Sequence, residues 1–417
     1  MPPIDTVIVG AGQAGLALSR LLTEAGRDHV VLERGRVGER WRTERWHSLA
    51  LLTPNWANRL PYDDEPEDPD AYLSRAAFVA TLQRYAWSFG APVREGTTVT
   101  AVERTGGGFR VRTDRGHWRA RHVVVATGDC SVPAVPAFAT SAPASVEQLH
   151  ASRYRAPERL ARGGVLVVGA GPSGHQIADE LARAGRRVVL AVGRHARIVR
   201  RYRGRDVWAW LDTLGELSRG PDDVSRHSRS RPAPALPLDG RRGGRTIDLG
   251  TLRDAGVRIA GRLEGFAGSH ALFGSGLGAS VANADARLGR LLARIDAHIA
   301  ARADRHAFPP SEPIAPIWLP PPAPAIDLAG EGISTIVWAT GYRRHFPWLR
   351  IPEVVGDDGA IRHDRGRTAI PGLFVLGMRW QSRMTSHQIG GVGVDAAFLA
   401  AAIAGTAESG GELRAAA

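Results

Sequence analysis

The sequence contains two glycine-rich turns of the form G-x-G-x-x-G, GAGQAG at residues 10–15 and GAGPSG at residues 169–174. Each follows a short apolar run and precedes a segment with the apolar spacing of a helix. In such a turn the first glycine permits a tight bend, the second lets the backbone approach a pyrophosphate, and the third lets helix and strand pack closely. The helix N-terminus then offers unpaired N–H groups to phosphate. We therefore expect two dinucleotide cradles, called the first and the second cradle below.

A carboxylate accompanies the first cradle. Glu33 ends the next predicted strand, at about the 20-residue distance expected of an acid that accepts the ribose hydroxyls. An acid at this position favours a ribose without a phosphate, as in FAD or NAD. Because the first cradle begins close to Met1, it stands where flavoproteins with two dinucleotides bind FAD. The predicted FAD contacts in this part of the chain are Gly10, Gly12, Gln13, Gly15, Glu33 and Arg34.

The stretch GERWRTERWHSLALLTPNWANRLP, residues 38–61, is predicted to pass over the flavin ring. Its predicted flavin neighbours are Trp41, Arg42, Thr53 and Asn55, although aromatic residues here could equally belong to a core. We expect a substrate pocket near Trp46 and Trp56, between this stretch and the segment that follows the second cradle.

The second cradle has no acid at the end of its next strand, which leads instead into Gly193-Arg194-His195-Ala196-Arg197. Arginine at this place pairs well with a 2′-phosphate, which favours NADPH over NADH. The alternative is that these arginines belong to an Arg-rich surface. The predicted NADPH contacts are Gly169, Gly171, Pro172, Ser173, Gly174, Arg194 and Arg197.

Two further strands, HVVVATGD and TIVWATGY, end in the same triplet A-T-G. Glycine there allows the chain to pass close to a dinucleotide or to cross between domains. Thr127 and Gly128 are therefore added to the predicted FAD contacts, and Thr340 and Gly341 to the NADPH contacts or the domain crossover.

These elements predict an α/β fold of two Rossmann-like dinucleotide-binding domains, with the second inserted in the first and a small antiparallel β excursion before it. We expect residues 1–155 and 328–417 to form the FAD-binding domain. Residues 156–327 form the NADPH-binding domain, with a helical insertion at about 197–310.

The composition argues against several other classes of protein. The net charge is +12, but all 54 basic residues are Arg and they are spread along the chain, so nucleic acid is not the expected partner. A surface of Arg with Trp208 and Trp210 stays an open alternative. Cys130 is the only cysteine, which excludes a C-x-x-C redox pair and indicates a reducing, cytoplasmic location. We expect no membrane span and no metal site.

The two cradles, both A-T-G strands and the segment H-A-S-R-Y at residues 150–154 together resemble the class B flavin-dependent monooxygenases. The fingerprint of that family is F-x-G-x-x-x-H-x-x-x-[F/W/Y]. This chain keeps His150 and Tyr154 but has Ala144 and Val146 in place of Phe and Gly. The resemblance covers most of the chain and is weakest between about residues 197 and 310.

The resemblance implies that NADPH reduces FAD, that dioxygen forms a flavin hydroperoxide, and that one oxygen atom reaches a small organic substrate. It identifies Gln388, Ile389 and Gly390 with the last flavin-contacting segment, at a helix N-terminus. Asn55 and His150 are the candidate catalytic residues, and His150 is expected to support domain geometry instead. A homodimer is also expected. The alternatives are an NADPH-dependent flavoprotein reductase without oxygen transfer and a catalytically silent flavin-binding redox sensor.

Overall fold

The computed structural model describes residues 3–223 and 234–405. Residues 224–233 of the predicted insertion and 406–417 of the predicted last segment lie outside the described residues. The helices are α1 (Gln13–Glu24), α2 (Glu39–Thr43), α3 (Arg75–Ser88), α4 (Pro172–Arg183), α5 (Val207–Thr213), α6 (Leu249–Asp254), α7 (Leu277–Ala300) and α8 (Val392–Ala404). The strands are β1 (Ile4–Val9), β2 (His29–Leu32), β3 (Val93–Arg94), β4 (Val99–Thr105), β5 (Gly108–Thr113), β6 (Gly116–Val125), β7 (Val132–Pro133), β8 (Glu147–His150), β9 (Gly164–Val168), β10 (Val188–Ala191), β11 (Arg201–Tyr202), β12 (Arg205–Asp206), β13 (Arg258–Ala260), β14 (Leu263–Ala267), β15 (His270–Phe273), β16 (Ala325–Asp327), β17 (Ile333–Trp338), β18 (Tyr342–Arg343) and β19 (Leu373–Val375).

The first sheet has a parallel core in the order β3-β2-β1-β6, and β19 lies parallel to the end of β6. Strands β2 and β19 and the last part of β6, residues 123–125, are almost continuously apolar because both faces of the sheet are covered there. Ile8 faces the core cluster that contains Leu16 and Leu22 of α1, whereas Val7 and Val9 face a second cluster on the opposite side. The first half of β6 pairs antiparallel with β5, and β5 with β4, which is the predicted antiparallel excursion.

The second sheet is parallel throughout, in the order β13-β10-β9-β17-β8. Strand β9 is completely buried, and α4 packs on the sheet through Ile177, Ala178 and Leu181. Each parallel sheet is thus built around a strand, a glycine-rich turn and a helix. The predicted fold class, two Rossmann-like domains in one α/β chain, is confirmed.

The pairing of β8 and β17 corrects the predicted domain boundaries. Strand β17 lies between β9 and β8, with Trp338 opposite His150 and Thr335 opposite Glu147. Boundaries at 155/156 and 327/328 would assign both strands to the first domain, but their hydrogen bonds place them in the second sheet. The chain crosses between the sheets next to β7 and β18, which pair antiparallel with each other.

The insertion at 197–310 is also less helical than predicted. It contains α5, α6 and α7, but β13 lies at the edge of the second sheet, and β14 and β15 pair antiparallel. Helix α7 is amphipathic, with one face buried along its length. Its buried residues are Leu277, Val281, Ala284, Leu288, Leu292, Ile295 and Ile299.

The two tryptophans considered for a nucleic-acid surface lie in the core of the insertion. Trp208 is 5% exposed and Trp210 is fully buried, and the indole N–H of Trp210 donates to the Tyr202 carbonyl oxygen at 2.7 Å. Neither ring can stack on a base, so this alternative is wrong for these residues. Within the described ranges, no helix has the length and apolar character that a membrane crossing requires.

Candidate functional site

The first cradle joins β1 to α1, and its three glycines are needed for three different reasons. Gly10 has a φ of +109°, and a Cβ there would lie 2.8 Å from the Ala126 carbonyl oxygen. A Cβ at Gly15 would lie 1.9 Å from the carbonyl oxygen of Gly10, so only glycine lets α1 pack this closely. At Gly12, in contrast, a Cβ would meet no atom within 4 Å. The open space at Gly12 is where a pyrophosphate can approach the backbone.

The second cradle repeats this geometry between β9 and α4. Gly169 has a φ of +110°, and its Cβ would lie 2.5 Å from the Ala339 carbonyl oxygen. A Cβ at Gly174 would lie 1.7 Å from the Gly169 carbonyl oxygen, whereas one at Gly171 would meet nothing within 4 Å. Both A-T-G segments therefore lie directly beside the first glycine of a cradle. Their own glycines, Gly128 and Gly341, have positive φ and open space around them.

Both helices that leave the cradles begin with their N-termini available for an anion. Neither α1 nor α4 has a capping side chain or an acidic residue in its first turn. Pro172 and Ser173 are the first two residues of α4, where a missing N–H is tolerated. The dipole of each helix and its free N–H groups would stabilise a pyrophosphate at the cradle.

Glu33 holds the first cradle from the end of β2. Its side chain is buried, and its carboxylate accepts hydrogen bonds from the backbone N–H of Ala11 at 2.8 Å and of Gly35 at 3.0 Å. Each carboxylate oxygen uses one lone pair in this way and keeps another for a ribose hydroxyl. The backbone oxygen of Glu33 accepts from Thr97 N–H, and Thr97 lines an open cavity of about 420 Å³ with Arg94 and Glu95.

We predict that Glu33→Gln raises the dissociation constant of FAD about tenfold, because an amide NH₂ cannot accept one of the two backbone N–H groups. Flavin fluorescence during titration of the apoprotein measures this constant. Glu39→Gln is the matched control, since Glu39 binds the backbone N–H of Arg36 on the exposed side of the same loop. Equal effects of the two substitutions would contradict the role of Glu33.

The stretch predicted to cover the flavin brings several predicted residues to the first cradle. The Trp41 indole N–H donates to the side-chain oxygen of Gln13 at 3.4 Å. Arg42 donates from Nε to the Val37 carbonyl oxygen, but its Nη2 is buried without a hydrogen-bond partner. The hydroxyl of Thr127 is also buried without a partner. Such buried polar atoms are costly unless a ligand or water satisfies them, so the residues present fit a flavin nucleotide here.

The side chains of Asn55 and Thr53 both form hydrogen bonds within the loop. The Asn55 amide donates to the Asp68 carbonyl oxygen and accepts from the Leu73 N–H. Thr53 donates its hydroxyl to the Asn58 side chain at 2.7 Å. Direct catalysis by Asn55 is therefore not proposed. The amide instead ties the two arms of the loop together.

The C-terminal segment meets this loop just before α8. A Cβ at Gly390 would lie 2.4 Å from the Ala57 carbonyl oxygen, so the two segments are in direct backbone contact. Ile389 is buried and Gln388 is half-buried, and α8 starts two residues after Gly390. Arg34 lies farther out, where its exposed guanidinium donates to Glu44 at 3.2 Å.

Arg194 and Arg197 lie in different environments beyond β10. Arg194 is exposed, whereas the next residue, His195, is buried with its Nδ1 3.1 Å from the Ser280 hydroxyl. The side chain of Arg194 thus lies on the solvent side of this turn. Burial lowers the pKa of His195 to about 4, so the ring adds no positive charge there.

Arg197 corrects the prediction, because other groups already occupy its guanidinium. It donates to Asp248 at 2.9 Å, to Asp285 at 2.8 Å and to the Ala315 carbonyl oxygen at 3.0 Å. These contacts join α6, α7 and the proline-rich segment at residues 309–326. Arg197 therefore holds the insertion together, and Arg194 alone keeps the predicted phosphate role.

His150 fastens the second A-T-G turn to β8. Its Nδ1 accepts the Ser152 N–H at 3.1 Å, so its Nε2 carries the proton and donates to the Gly341 carbonyl oxygen at 2.9 Å. Burial lowers the pKa of the ring, which favours this neutral form. Thr340 donates its hydroxyl to the Ala134 carbonyl oxygen beside β7. Both residues thus hold the crossover between the domains.

Several side chains that could not be identified from the sequence join the two domains. Glu180 of α4 accepts from the Ser48 hydroxyl at 2.7 Å and the Tyr154 hydroxyl at 3.0 Å. Arg200, in the insertion, contacts Tyr72 and the carbonyl oxygen of Leu52 in the flavin-covering loop. No local pattern marks such pairs, because the partners are far apart in the sequence.

No three His, Cys, Asp or Glu side chains come together as a metal site within residues 3–223 and 234–405. Cys130 is half-buried in this part of the chain, and burial raises the pKa of its thiol.

Comparison with known proteins points to flavin enzymes. The model of the pyridine nucleotide-disulphide oxidoreductase family matches residues 7–214. An uncharacterized CzcO-like oxidoreductase of Geobacillus kaustophilus is 31% identical over 398 residues, which are 95% of this chain and 97% of that protein. The indole-3-pyruvate monooxygenase YUCCA1 of Oryza sativa subsp. japonica is 38% identical over 190 residues, 45% of this chain and 47% of that one.

The fold is similar to that of a flavin-containing monooxygenase from Stenotrophomonas maltophilia. The TM-score is 0.65 at 21% identity, and the match covers 97% of this chain and 99% of that one. At this identity the likeness concerns the fold, and both dinucleotide domains are included in it.

Proposed function

Since this chain belongs to the class B flavin-dependent monooxygenase family, we propose that it is an NADPH- and FAD-dependent monooxygenase that inserts one oxygen atom from dioxygen into a small organic substrate. Membership of this family supports FAD and NADPH as the cofactors. The proposal assigns the first cradle to FAD and the second to NADPH.

One observation carries this assignment. Both cradles have an open second glycine, Gly12 or Gly171, but only the first is followed by a buried carboxylate. Glu33 suits the ribose hydroxyls of FAD, whereas the exposed Arg194 beyond β10 suits a 2′-phosphate. Two different dinucleotides can therefore bind in one chain without competing for a cradle.

When bound, FAD supplies the redox chemistry: it accepts a hydride from NADPH and, once reduced, reacts with dioxygen. The net reaction consumes NADPH, a proton, dioxygen and substrate, and yields NADP⁺, water and the oxygenated product. The chain would orient the two nucleotides through the cradles, and the contacts of His150 and Thr340 hold the crossover between the two domains. The loop at 38–61 and the segment before α8 would exclude water from the flavin.

We propose that the substrate enters between the flavin-covering loop and the insertion. Leu52, Trp56 and Met384 are partly buried there against the apolar core of the insertion, which favours an apolar or aromatic substrate. Trp46, expected to line this pocket, is instead 3% exposed and packs beside Tyr154. It therefore belongs to the core and not to the substrate site.

A reductase without oxygen transfer is the second candidate, because the same two cradles would serve it equally well. Cys130 is the only cysteine in the sequence, so no pair of cysteines in this chain can pass electrons to a disulfide. Electrons on the flavin would then reach dioxygen or an external acceptor. The destination of these electrons separates the two candidates.

The test is to purify the protein with its flavin, reduce it with NADPH without oxygen, and then admit air with a panel of substrates. The panel contains an organic sulfide, a tertiary amine, a cyclic ketone and indole-3-pyruvate, the substrate in the name of the rice relative. We expect an oxygenated product from at least one compound and a matching decrease in released hydrogen peroxide. Full recovery of the electrons as peroxide with every compound would favour the reductase. A cytoplasmic location and a homodimer stay predictions.

A further inference from the structure

A buried polar cluster connects the insertion to the loop that covers the flavin site. Arg200 is 2% exposed and donates to three acceptors that lie in two parts of the chain. Its Nη1 donates to the Leu52 carbonyl oxygen at 2.7 Å, and its Nε donates to the Tyr72 hydroxyl at 2.9 Å. Its Nη2 forms an ion pair with Asp206 at 2.7 Å. Leu52 belongs to the flavin-covering loop, Tyr72 to the segment 71–73 that is hydrogen-bonded to that loop, and Asp206 to the insertion.

Tyr72 completes the cluster with a defined direction of hydrogen bonding. Its hydroxyl accepts from Arg200 and donates to the Asp206 carboxylate. Burial and the hydrogen bond to Asp206 raise the pKa of Tyr72 to about 12, so the hydroxyl keeps its proton. The guanidinium also lies 4.3 Å from the centre of the Tyr72 ring. Every polar group of the cluster thus has a partner, which is how buried charges are tolerated.

The insertion is complementary to Tyr72 in shape as well as in hydrogen bonding. A Cβ at Gly240 would lie 2.8 Å from a Tyr72 atom and 2.0 Å from the Leu51 carbonyl oxygen. A Cβ at Gly244 would also lie 2.8 Å from the tyrosine ring. Two glycines therefore make room for one aromatic side chain of the other domain.

The loop transmits this contact to the residues at the predicted flavin site. Its two arms are paired by backbone hydrogen bonds from Leu51 to Leu73 and from Asn55 to Ala71, each 2.8–2.9 Å long. The Asn55 side chain adds its own bonds between the arms. The hydrogen bonds that Arg200 forms with Tyr72 and Leu52 therefore restrict the position of the whole segment 52–56.

We propose that Arg200 is a positioning residue that, with Tyr72 and Asp206, fixes the segment 52–56 over the flavin in a set relation to the coenzyme domain. Arg200 lies six residues beyond Arg194. The short segment that follows β10 therefore carries both the proposed phosphate contact and the residue that holds the flavin-covering loop. This inference rests on the proposed function, since it takes the first cradle to bind FAD.

Tyr72→Phe tests the inference with the smallest change in packing. The hydroxyl is lost, and Arg200 keeps its bonds to Leu52 and Asp206. We expect the dissociation constant of FAD to rise about fivefold, because only part of the energy of the lost hydrogen bonds is passed on to flavin binding. The circular dichroism of the bound flavin in the visible range should also change, because the segment above the ring is less fixed.

Tyr202→Phe is the matched control. Tyr202 also donates its hydroxyl to a carboxylate of the insertion, Asp296 at 2.7 Å, but both partners lie within the insertion. We expect a similar loss of thermal stability in the two variants and an unchanged flavin signal in the control. If Tyr72→Phe leaves FAD affinity and flavin dichroism unchanged, or if both variants alter them equally, the proposal is overturned.

Arg200→Lys provides a second variant that retains the charge beside Asp206. An ammonium on a flexible stem cannot reproduce the fork that reaches Leu52 and Tyr72 together, so we expect an effect on FAD binding at least as large as that of Tyr72→Phe. Wild-type FAD affinity in this variant would contradict the inference. None of these measurements depends on oxygen transfer. If the wild-type protein only releases peroxide, the proposed function is contradicted but the inference about Arg200 is not. If the wild-type protein binds no flavin, both are contradicted.

Discussion

Gly12→Val should give a folded protein that no longer retains FAD, whereas Gly171→Val should keep FAD but lose rapid reduction by NADPH. Both glycines have backbone angles that valine adopts readily, with φ and ψ of −84° and −173° at Gly12 and of −83° and −175° at Gly171. A side chain at either place meets no protein atom within 4 Å of its Cβ. The added methyl groups would occupy only the space proposed for a pyrophosphate.

We expect each substitution to weaken its own nucleotide about 100-fold or more, because the pyrophosphate can no longer reach the backbone N–H groups. Flavin content after purification measures the first effect, and stopped-flow reduction under anaerobic conditions measures the second. Each variant is the control for the other. Loss of FAD in both, or in neither, would show that the cradles are not divided between two nucleotides as proposed.

Arg194→Ala should raise the dissociation constant of NADPH about 30-fold and change that of NADH by less than about twofold. Removal of one charge-assisted contact to a phosphate costs about 2 kcal/mol of binding free energy. NADH has no 2′-phosphate, so its binding does not depend on this contact. The ratio of the two constants is obtained from the dependence of the flavin reduction rate on coenzyme concentration.

Arg187→Ala is the control for this substitution. Arg187 is also exposed but lies just before β10, at the opposite end of the strand from Arg194. Nucleotides bind beyond the carboxyl ends of parallel strands, so this variant should keep the wild-type preference. An equal loss of NADPH and NADH binding in Arg194→Ala would remove the 2′-phosphate role.

Much of the fold could be predicted because its signals are local. A buried strand, a glycine turn and a helix follow one another within about 20 residues at each cradle, and the steric demands at Gly15 and Gly174 are set by neighbours five residues away. The antiparallel excursion and α8 were predictable for the same reason. Their apolar spacing and turn glycines lie within the elements themselves.

The remaining features depend on contacts between distant residues. The domain boundaries were misplaced because β8 and β17 pair with each other across almost two hundred residues. Arg197 was given a phosphate role because its partners Asp248 and Asp285 reach it only through tertiary folding. The cluster of Arg200 with Tyr72 was missed for the same reason, since nothing near either residue in the sequence indicates the other.

Oxygen transfer and simple reduction would use the two cradles in the same way. In the proposed function the two cradles would bring a reduced nicotinamide to a flavin, and the covering loop and the insertion would determine the next step. Leu52 and Tyr72 link those two regions through Arg200. The covering loop is therefore the part of the chain that would retain the oxygen for the substrate.

The most direct measurement is the fate of labelled dioxygen. The protein, reduced by one equivalent of NADPH, is exposed to ¹⁸O₂ with each compound of the panel, and the products are examined by mass spectrometry. We predict one ¹⁸O atom per molecule of product and no more product than NADPH consumed. Unlabelled compounds throughout, with all of the label recovered in hydrogen peroxide, would contradict the assignment as a monooxygenase.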